Sequence, residues 1–252
     1  MSADRSPAPV SHARMAALSR LPAFFALEHK RAVVAGGSQA AAWKAELLSA
    51  AGARVDVFSP APADDLLALV TAPPNGAIVI HRRRWAKNDF AGAAIAVADC
   101  ADDGEAAEFA AAARAAGVPV NVIDRPAFCD FSFGAIVNRS PLVIGISTDG
   151  ASPVFGQAIR ARIEALLPKG FARWAEAART WRPRVQALTL PFRSRRDFWE
   201  RFTQRAVAAP NAAPSDADLE ALLRQPPPYP PPLAGEGRVG AASAAPRDRR
   251  RW

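Results

Sequence analysis

Residues 31–52, RAVVAGGSQAAAWKAELLSAAG, decide the fold of this chain. They begin as an apolar strand, turn through Gly36 and Gly37, and continue as a helix that ends at a glycine. A dinucleotide-binding unit begins in this way, because bare glycine backbone and the N–H groups at a helix N-terminus can both approach a pyrophosphate. The usual G-x-G-x-x-G pattern is changed, with Ser38 and Ala41 in place of its second and third glycines. The residues therefore leave two interpretations open, a nucleotide site or a plain strand–turn–helix.

Strand and helix patterns alternate from this stretch to about residue 123. The predicted strands are short, continuous and apolar, as strands buried on both faces should be. Such alternation indicates a parallel sheet covered by helices, so we expect an α/β, Rossmann-like domain. The strands are predicted at 32–35, 54–58, 76–80, 93–98 and 119–123, and the helices between them at 39–51, 62–71 and 104–116.

The pattern changes after about residue 130. The segment 131–147 predicts two strands that a turn at 138–141 joins. Ser152 and Pro153 then mark the start of a helix that runs to residue 168, as its cap and its first helical residue. The remaining part is predicted to be helical, with helices at 171–189, 193–208 and 215–224.

The two ends of the chain differ from the rest in composition. Residues 1–20 lack a continuous apolar run, so we expect a disordered lead and not a signal peptide. Residues 225–252 are dominated by Pro, Gly, Ala and Arg and cannot form an apolar face, so we expect a disordered tail. Because no run of roughly 18 apolar residues is present, we expect no membrane partner.

The net charge is +8 and the pI is about 10.6, which favours acidic partners. The sequence HRRRW at 81–85 allows a nucleic-acid patch or a solvated loop with Trp85 packed on the domain. We prefer the loop and expect no nucleic-acid partner. Cys100 and Cys129 form neither a disulfide framework nor a metal-ligand pattern, so a cytoplasmic location is expected.

Candidate site residues follow the predicted strands. A carboxylate at Asp124, in NVIDRP, would lie at the edge where open α/β sheets bind ligands, and could act as a general base. The alternative is a loop aspartate paired with Arg125 or capping a turn. The second strand ends in Ser59, where an acidic residue usually binds the adenosine ribose. We therefore expect the ribose contact from Ser59 or from backbone near Pro60 and Ala61.

A further cluster of small polar residues lies in NRSPLVIGISTDGASP, at 138–153. It ends at the start of a predicted helix, where anionic groups can be received. The alternative is an ordinary turn and helix cap. The residues that could bind an anion here are Arg139, Ser140, Ser147 and Thr148.

These motifs occur together and in one order, and in that combination the chain resembles the precorrin-2 dehydrogenase/sirohydrochlorin ferrochelatase family. Members of this family form the N-terminal half of multifunctional sirohaem synthase. The resemblance runs from about residue 21 to residue 207, and NRSPLVIGISTDGASPV is its most specific segment. Other segments that carry it are LPAFFALEHKRAVVAGGSQAAAWKAELLSAAGARVDVFSP, VPVNVIDRPAFCDFSFGAIV and RDFWERF.

The resemblance implies a division into domains. A Rossmann-type NAD-binding domain would cover 21–133, a dimerisation region 134–168, and a helical C-terminal domain 169–224. The chain would act as a homodimer with its active site where the subunits meet. We expect a stand-alone form that lacks the methyltransferase domain of the multifunctional relatives.

The implied function is NAD-dependent oxidation of precorrin-2 to sirohydrochlorin, followed by insertion of Fe²⁺ to give sirohaem. The alternative is a non-catalytic NAD- or tetrapyrrole-binding protein that retains the fold. Asp124 matches the family's catalytic aspartate, and no protein metal ligands are expected because the iron is a substrate. From the motifs and the resemblance together, the expected NAD-binding residues are Gly36, Gly37, Ser38, Gln39, Ala40, Ser59, Pro60 and Ala61, and the expected tetrapyrrole-binding residues are Arg139, Ser140, Ser147 and Thr148.

The chain departs from the family pattern at several positions. Ser38 replaces a glycine of the turn, and Asp149 replaces a glycine of the later motif. Trp43 replaces the arginine that usually precedes the helix lysine, whereas Lys44 is kept. We expect Ser38 to keep the turn small and offer a hydroxyl to a phosphate, and Asp149 to bring negative charge near an anionic substrate.

Overall fold

A computed structural model of the chain describes residues 16–224. Its central feature is a five-stranded parallel sheet with the strand order β3-β2-β1-β4-β5. The order reverses between β1 and β4, which is the switch point where open sheets of this kind bind ligands. The strands are β1 (Arg31–Ala35), β2 (Arg54–Phe58), β3 (Ala77–His81), β4 (Ala93–Ala98) and β5 (Val120–Val122).

Three helices connect these strands: α1 (Gln39–Ala50), α2 (Asp64–Thr71) and α3 (Asp103–Ala115). A 3-10 helix, Lys87–Phe90, precedes β4, and another, Pro126–Phe128, follows β5. The predicted Rossmann-like sheet is therefore confirmed, with strand bounds that differ from the predicted ones by one residue at most. The reason is that strands buried on both faces leave an unbroken apolar run in the sequence.

The sheet is buried on both faces because its side chains alternate. Ala32 and Val34 of β1 pack into one apolar cluster with Leu48 of α1, whereas Val33 and Ala35 pack into another with Phe109 of α3. This follows from the two-residue period of a strand. Complete burial of a side chain such as Leu48 or Phe109 contributes roughly 1.5–3 kcal/mol to folding.

The chain continues into a two-stranded sheet and four helices. The strands are β6 (Ala135–Arg139) and β7 (Leu142–Ile146), and the helices are α4 (Pro153–Leu166), α5 (Phe171–Ala187), α6 (Phe192–Ala208) and α7 (Asp216–Arg224). The helix bounds agree with the predicted ones to within two residues, and both strands lie inside the predicted segment 131–147. Trp174, Trp181 and Phe202 form the centre of the helical core, with Trp174 and Trp181 only 2% and 3% exposed.

The described residues divide into two compact units. The first consists of the residues up to Ala135 together with Gly145–Gly156, and the second of Ile136–Ile144 and the residues from Gln157 onward. The predicted boundaries at 133, 168 and 224 stay predictions.

Most of the lead expected at 1–20, and all of the tail expected at 225–252, lie outside the described residues. Between residues 16 and 224, no helix has the length and apolar character to cross a membrane.

Candidate active site

The glycine turn after β1 lies against the ends of two neighbouring strands. Gly36 has φ +110°, and a Cβ there would lie 2.9 Å from Asp99 Cβ, just beyond β4. A Cβ at Gly37 would lie 2.3 Å from the hydroxyl oxygen of Ser59 and 2.4 Å from the carbonyl oxygen of Ala61, just beyond β2. Both positions therefore require glycine, because the turn fills the space between the strand ends.

Ser38 caps helix α1. Its backbone is extended, with φ −74° and ψ 172°, and its hydroxyl oxygen accepts a hydrogen bond from the Ala41 N–H at 3.2 Å. The hydroxyl proton is directed to the carboxylate of Asp99. Ser38 therefore donates to Asp99 in this structure, and the hydrogen bond from its hydroxyl to a phosphate stays a prediction.

The N–H groups of this turn remain open. Within the described residues, no hydrogen bond is donated by the backbone N–H groups of residues 37–40, and Ser38, Gln39 and Ala40 are exposed. Unpaired N–H groups at a helix N-terminus favour an anion, through hydrogen bonds and through the helix dipole. The turn thus retains the donors that a pyrophosphate would use.

The three residues after β2 that are predicted to contact the ribose differ in their exposure. Ser59 is only 2% exposed, and its hydroxyl oxygen accepts a hydrogen bond from the Ala61 N–H at 3.3 Å beneath Gly37. Pro60 and Ala61 are exposed. Ser59 therefore supports the turn, and the backbone at Pro60 and Ala61 is left to contact a ribose, which stays a prediction.

Asp124 lies just after β5, at the same edge of the sheet. The preceding Ile123 N–H donates to the Ala98 carbonyl at 2.8 Å, which holds the end of this segment against β4. Asp124 is exposed and has φ +58°, a left-handed conformation that aspartate tolerates better than most residues. Within the described part of the chain, Asp124 does not pair with Arg125, whose guanidinium group binds the Asp103 carboxylate and the Ala101 carbonyl.

The carboxylate of Asp124 is consequently free for a ligand. Across residues 16–224 it takes part in no hydrogen bond and in no ion pair within 4 Å. A carboxylate that is exposed and uncommitted can accept a proton from a bound molecule. The role of Asp124 as a catalytic residue stays a prediction, and this geometry is compatible with it.

Lys44 is a site residue to which the sequence analysis gave no role. It lies in α1 with 9% of its surface exposed, and its ammonium nitrogen lies 4.2 Å from the ring centroids of both Trp43 and Phe133. Burial lowers the pKa of Lys44, and the negative charge of Asp124 opposes this lowering. The signal was present in the sequence, since Lys44 occupies the apolar stripe of α1 formed by Ala41, Ala45 and Leu48.

Asp99 is a second residue that the sequence analysis did not single out. It is the first residue after β4, and its N–H donates to the Ala35 carbonyl of β1 at 2.9 Å. Its contact with the glycine turn depends on the strand order, because β1 and β4 are far apart in the chain but adjacent in the sheet.

The loop after β7 contains two of the predicted tetrapyrrole-binding residues. The Ser147 hydroxyl oxygen accepts a hydrogen bond from the Asp149 N–H at 3.1 Å, and the Thr148 hydroxyl lies 3.4 Å from the Ser152 carbonyl. The carboxylate of Asp149 forms an ion pair with Arg20 Nε at 2.5 Å, which raises the pKa of Arg20. The negative charge expected from Asp149 is therefore compensated within the first unit.

The other two predicted tetrapyrrole-binding residues, Arg139 and Ser140, lie in the second unit. Arg139 donates to the carbonyls of Leu167 at 2.9 Å and Glu164 at 3.3 Å, so its guanidinium group caps the C-terminal end of α4. The Ser140 hydroxyl donates to Asn138 Oδ1 at 2.6 Å. Ser140 also lines a surface cavity of about 620 Å³ together with α5. Substrate binding by these two residues stays a prediction.

The basic sequence at 81–85 is tied to the first unit. Arg83 and Arg84 form ion pairs with Asp89 and Glu105, each at 2.7 Å. The Trp85 ring packs edge-on against Phe109, with their centroids 5.3 Å apart. These contacts are those expected of a solvated loop with Trp85 packed on the domain.

Three family models match successive parts of the chain. Residues 23–135 match a family model for NAD(P)-binding, residues 139–166 match the sirohaem biosynthesis protein central model, and residues 170–226 match the sirohaem synthase dimerisation region. The residues that match the dimerisation model are therefore those of the predicted helical C-terminal domain, whereas the dimerisation region was predicted at 134–168.

Curated relatives include the siroheme synthases of Pseudomonas entomophila, 38% identical over 204 residues, and Stutzerimonas stutzeri, 39% identical over 205 residues. Each alignment covers 81% of this chain and 43% of the relative. The siroheme synthase of Psychrobacter arcticus is 38% identical over 76% of this chain and 34% of its own length. The chain therefore spans less than half the length of the curated relatives it matches.

A solved structure with the same fold is titled "SirC, precorrin-2 dehydrogenase". It aligns with a TM-score of 0.59 over 81% of this chain and 98% of its own, at 15% sequence identity. At that identity the likeness establishes the fold alone. The three family models and the curated relatives show that this chain belongs to the family of proteins that forms the N-terminal half of sirohaem synthase.

Proposed function

We propose that this chain oxidises precorrin-2 to sirohydrochlorin with NAD⁺, and that insertion of Fe²⁺ follows at the same site. One observation carries the proposal. The uncommitted carboxylate of Asp124 lies at the sheet edge where the glycine turn presents unpaired N–H groups. The names of the relatives support the choice of reaction, since they are siroheme synthases and the structure of the same fold is a precorrin-2 dehydrogenase.

The residues of the turn fit a dinucleotide. The open N–H groups at 37–40 would hold the pyrophosphate, and the exposed backbone at Pro60 and Ala61 would contact the adenosine ribose. When bound, NAD⁺ supplies an acceptor for a hydride. Gly36, Gly37 and Ser59 would act by shaping the turn, because each is packed against a neighbouring strand end.

The proposed chemistry gives Asp124 the task of handling protons. Oxidation of precorrin-2 removes a hydride and a proton, and the proton would pass to the Asp124 carboxylate. Insertion of Fe²⁺ releases two pyrrole protons, which the same carboxylate would carry to solvent. Iron is a substrate in this scheme, and it would be bound by the tetrapyrrole nitrogens.

We also propose a homodimer that works in the cytoplasm. The match to a sirohaem synthase dimerisation region supports the dimer. Exposed apolar side chains on α4 also support it, namely Val154 (79% exposed), Phe155 (58%) and Leu166 (78%). The free thiols of Cys100 and Cys129 support a reducing compartment. Light scattering should give twice the chain mass of 26.7 kDa.

An anaerobic assay tests the reaction. Precorrin-2 is generated in place by a separate methyltransferase, NAD⁺ is added, and the NADH absorbance and the tetrapyrrole spectrum are followed. We expect one NADH per sirohydrochlorin, and iron uptake after addition of Fe²⁺. Asp124→Asn should abolish NADH formation in a folded protein, since asparagine also tolerates the left-handed backbone at this position.

A matched control removes an exposed carboxylate elsewhere in the first unit. Asp65→Asn on α2 should leave NADH formation unchanged. Near-normal turnover in Asp124→Asn would remove Asp124 from the mechanism. Binding of NAD⁺ without any turnover in the wild-type protein would favour the alternative, a non-catalytic binding protein.

A further inference from the structure

Lys44 is the only buried lysine among residues 16–224, which the structure describes. Of the 32 Lys and Arg residues, four are lysines, and the other three, Lys30, Lys87 and Lys169, are exposed. Lys44 is 9% exposed and belongs to the inward stripe of α1, where its neighbours on the stripe are apolar. A lysine in such a stripe requires a reason, because burying an ammonium group is unfavourable unless it is paired.

The surroundings of the Lys44 ammonium leave its hydrogen bonds unmade. Its nitrogen lies 4.2 Å from the ring centroids of Trp43 and Phe133, whose faces attract a cation but offer no lone pair. In the part of the chain that the structure describes, Lys44 has no hydrogen-bond acceptor and no carboxylate within 4 Å. The Lys44 nitrogen is not fully enclosed by protein atoms, so an incoming group can reach it.

The position of Lys44 links it to the proposed active site. Ile123, the residue before Asp124, packs against the apolar cluster that contains Ala41 and Leu48 of α1, on either side of Lys44. Phe133 comes from the segment that runs back along β5, where Asn121 Nδ2 donates to the Phe131 carbonyl at 2.9 Å. Lys44 is thus a cation with unused donors in the neighbourhood of an uncommitted carboxylate.

We propose that Lys44 is a substrate-binding residue that donates hydrogen bonds to a carboxylate group of a tetrapyrrole bound beside Asp124. The identity of the ligand rests on the proposed function. A carboxylate is the partner that best satisfies an ammonium group. The positive charge would also offset the repulsion between Asp124 and an anionic substrate, which a neutral side chain could not do.

The test is binding of uroporphyrin III, a stable tetrapyrrole with carboxylate side chains, measured by its fluorescence without NAD⁺. Lys44→Met keeps an unbranched apolar stem and removes the charge. We expect Lys44→Met to weaken binding about tenfold or more, as loss of a charge-assisted hydrogen bond does. Lys44→Arg should bind more tightly than Lys44→Met, and Lys30→Met, which removes an exposed lysine of the same unit, should bind like the wild type.

A second ligand distinguishes the loss of carboxylate recognition from a general loss of porphyrin binding. A cationic porphyrin without carboxylates should show no preference for the wild type over Lys44→Met. The proposal is wrong if Lys44→Met binds uroporphyrin III as tightly as the wild type, if the wild type does not bind it, or if both porphyrins lose affinity equally. Because this measurement involves no turnover, it stays interpretable if the wild-type protein forms no NADH and the proposed reaction fails.

Discussion

Ser38 donates a hydrogen bond to the carboxylate of Asp99, and this bond joins the start of α1 to the end of β4. It spans the point where the strand order reverses. Because its proton is committed to Asp99, the Ser38 oxygen is oriented to accept from the Ala41 N–H and to cap the helix. The serine that replaces a family glycine therefore belongs to the support of the turn, and the open N–H groups beside it remain available to an anion.

Ser38→Ala should reduce both stability and NAD⁺ affinity. Loss of the cap should lower the free energy of unfolding by about 1 kcal/mol. The freed Asp99 carboxylate would then face the bound pyrophosphate, so NAD⁺ should bind several-fold more weakly. Ser152→Ala is the control, since Ser152 caps α4 by accepting from the Phe155 N–H at 3.2 Å. Denaturant unfolding and NAD⁺ titration of both variants check this, and equal NAD⁺ affinities would contradict it.

Gly37→Ala should destabilise the first unit. The new methyl carbon would lie 2.3 Å from the Ser59 oxygen, so the turn or the end of β2 must move. Overpacking of this kind costs about 1–3 kcal/mol. Gly145→Ala is a matched control, because a methyl group there meets no atom within 4 Å. Thermal unfolding should separate the two variants, and similar unfolding temperatures would show that the turn adapts.

Arg20→Ala should weaken substrate binding through Asp149. The ion pair at 2.5 Å compensates the Asp149 charge, so its loss leaves a carboxylate beside Ser147 and Thr148. We expect the KM for precorrin-2 to rise while NAD⁺ affinity is unchanged. The double variant Arg20→Ala/Asp149→Gly should recover the wild-type KM, because the repelling charge is gone. Failure of the second substitution to restore KM would mean that Arg20 contacts the substrate itself.

Binding of uroporphyrin III should weaken as the pH rises into the alkaline range. This loss should begin at a lower pH than it would if Lys44 had the pKa of an exposed lysine. Burial lowers the pKa of Lys44 below 10.5, so the neutral amine forms earlier as the pH rises. The Asp124 carboxylate, which acts on Lys44, is an anion and cannot replace the positive charge of the lysine. Lys44→Arg should retain its affinity over the same range, since arginine stays charged. Identical pH profiles of the two proteins would contradict the prediction.

Cys100 should resist alkylation in the folded protein. Burial, reinforced by the negative charges of Glu105 and Asp99, raises the pKa of its thiol to about 12. The reactive thiolate is therefore scarce at neutral pH. Mass spectrometry after iodoacetamide treatment should find Cys100 unmodified in the native protein and modified after denaturation. Rapid modification of native Cys100 would show that its surroundings are more open than this structure has them.

The sequence by itself determined the elements and the class of fold. The continuous apolar runs of β1, β2 and β4, the start of α4 at Ser152 and Pro153, and the glycines of the first turn are local signals, and a strand or cap is recognised from a few consecutive residues. The motif at 138–153 further indicated the family. Asp124 could be singled out because the end of a parallel strand can be located from the strand alone.

The tertiary structure alone decided what these residues touch. Ser38 and Asp99 are 61 positions apart, and Arg139 lies 28 positions from the Leu167 carbonyl that it binds. The sequence pattern predicted a phosphate contact for Ser38 and a substrate contact for Arg139, and both stay predictions, but only the structure shows that Ser38 also donates to Asp99 and Arg139 to backbone carbonyls. Lys44 gained its significance from its two aromatic neighbours and from Asp124. No local pattern encodes such pairs, because they exist only when strand order and helix packing bring distant segments together.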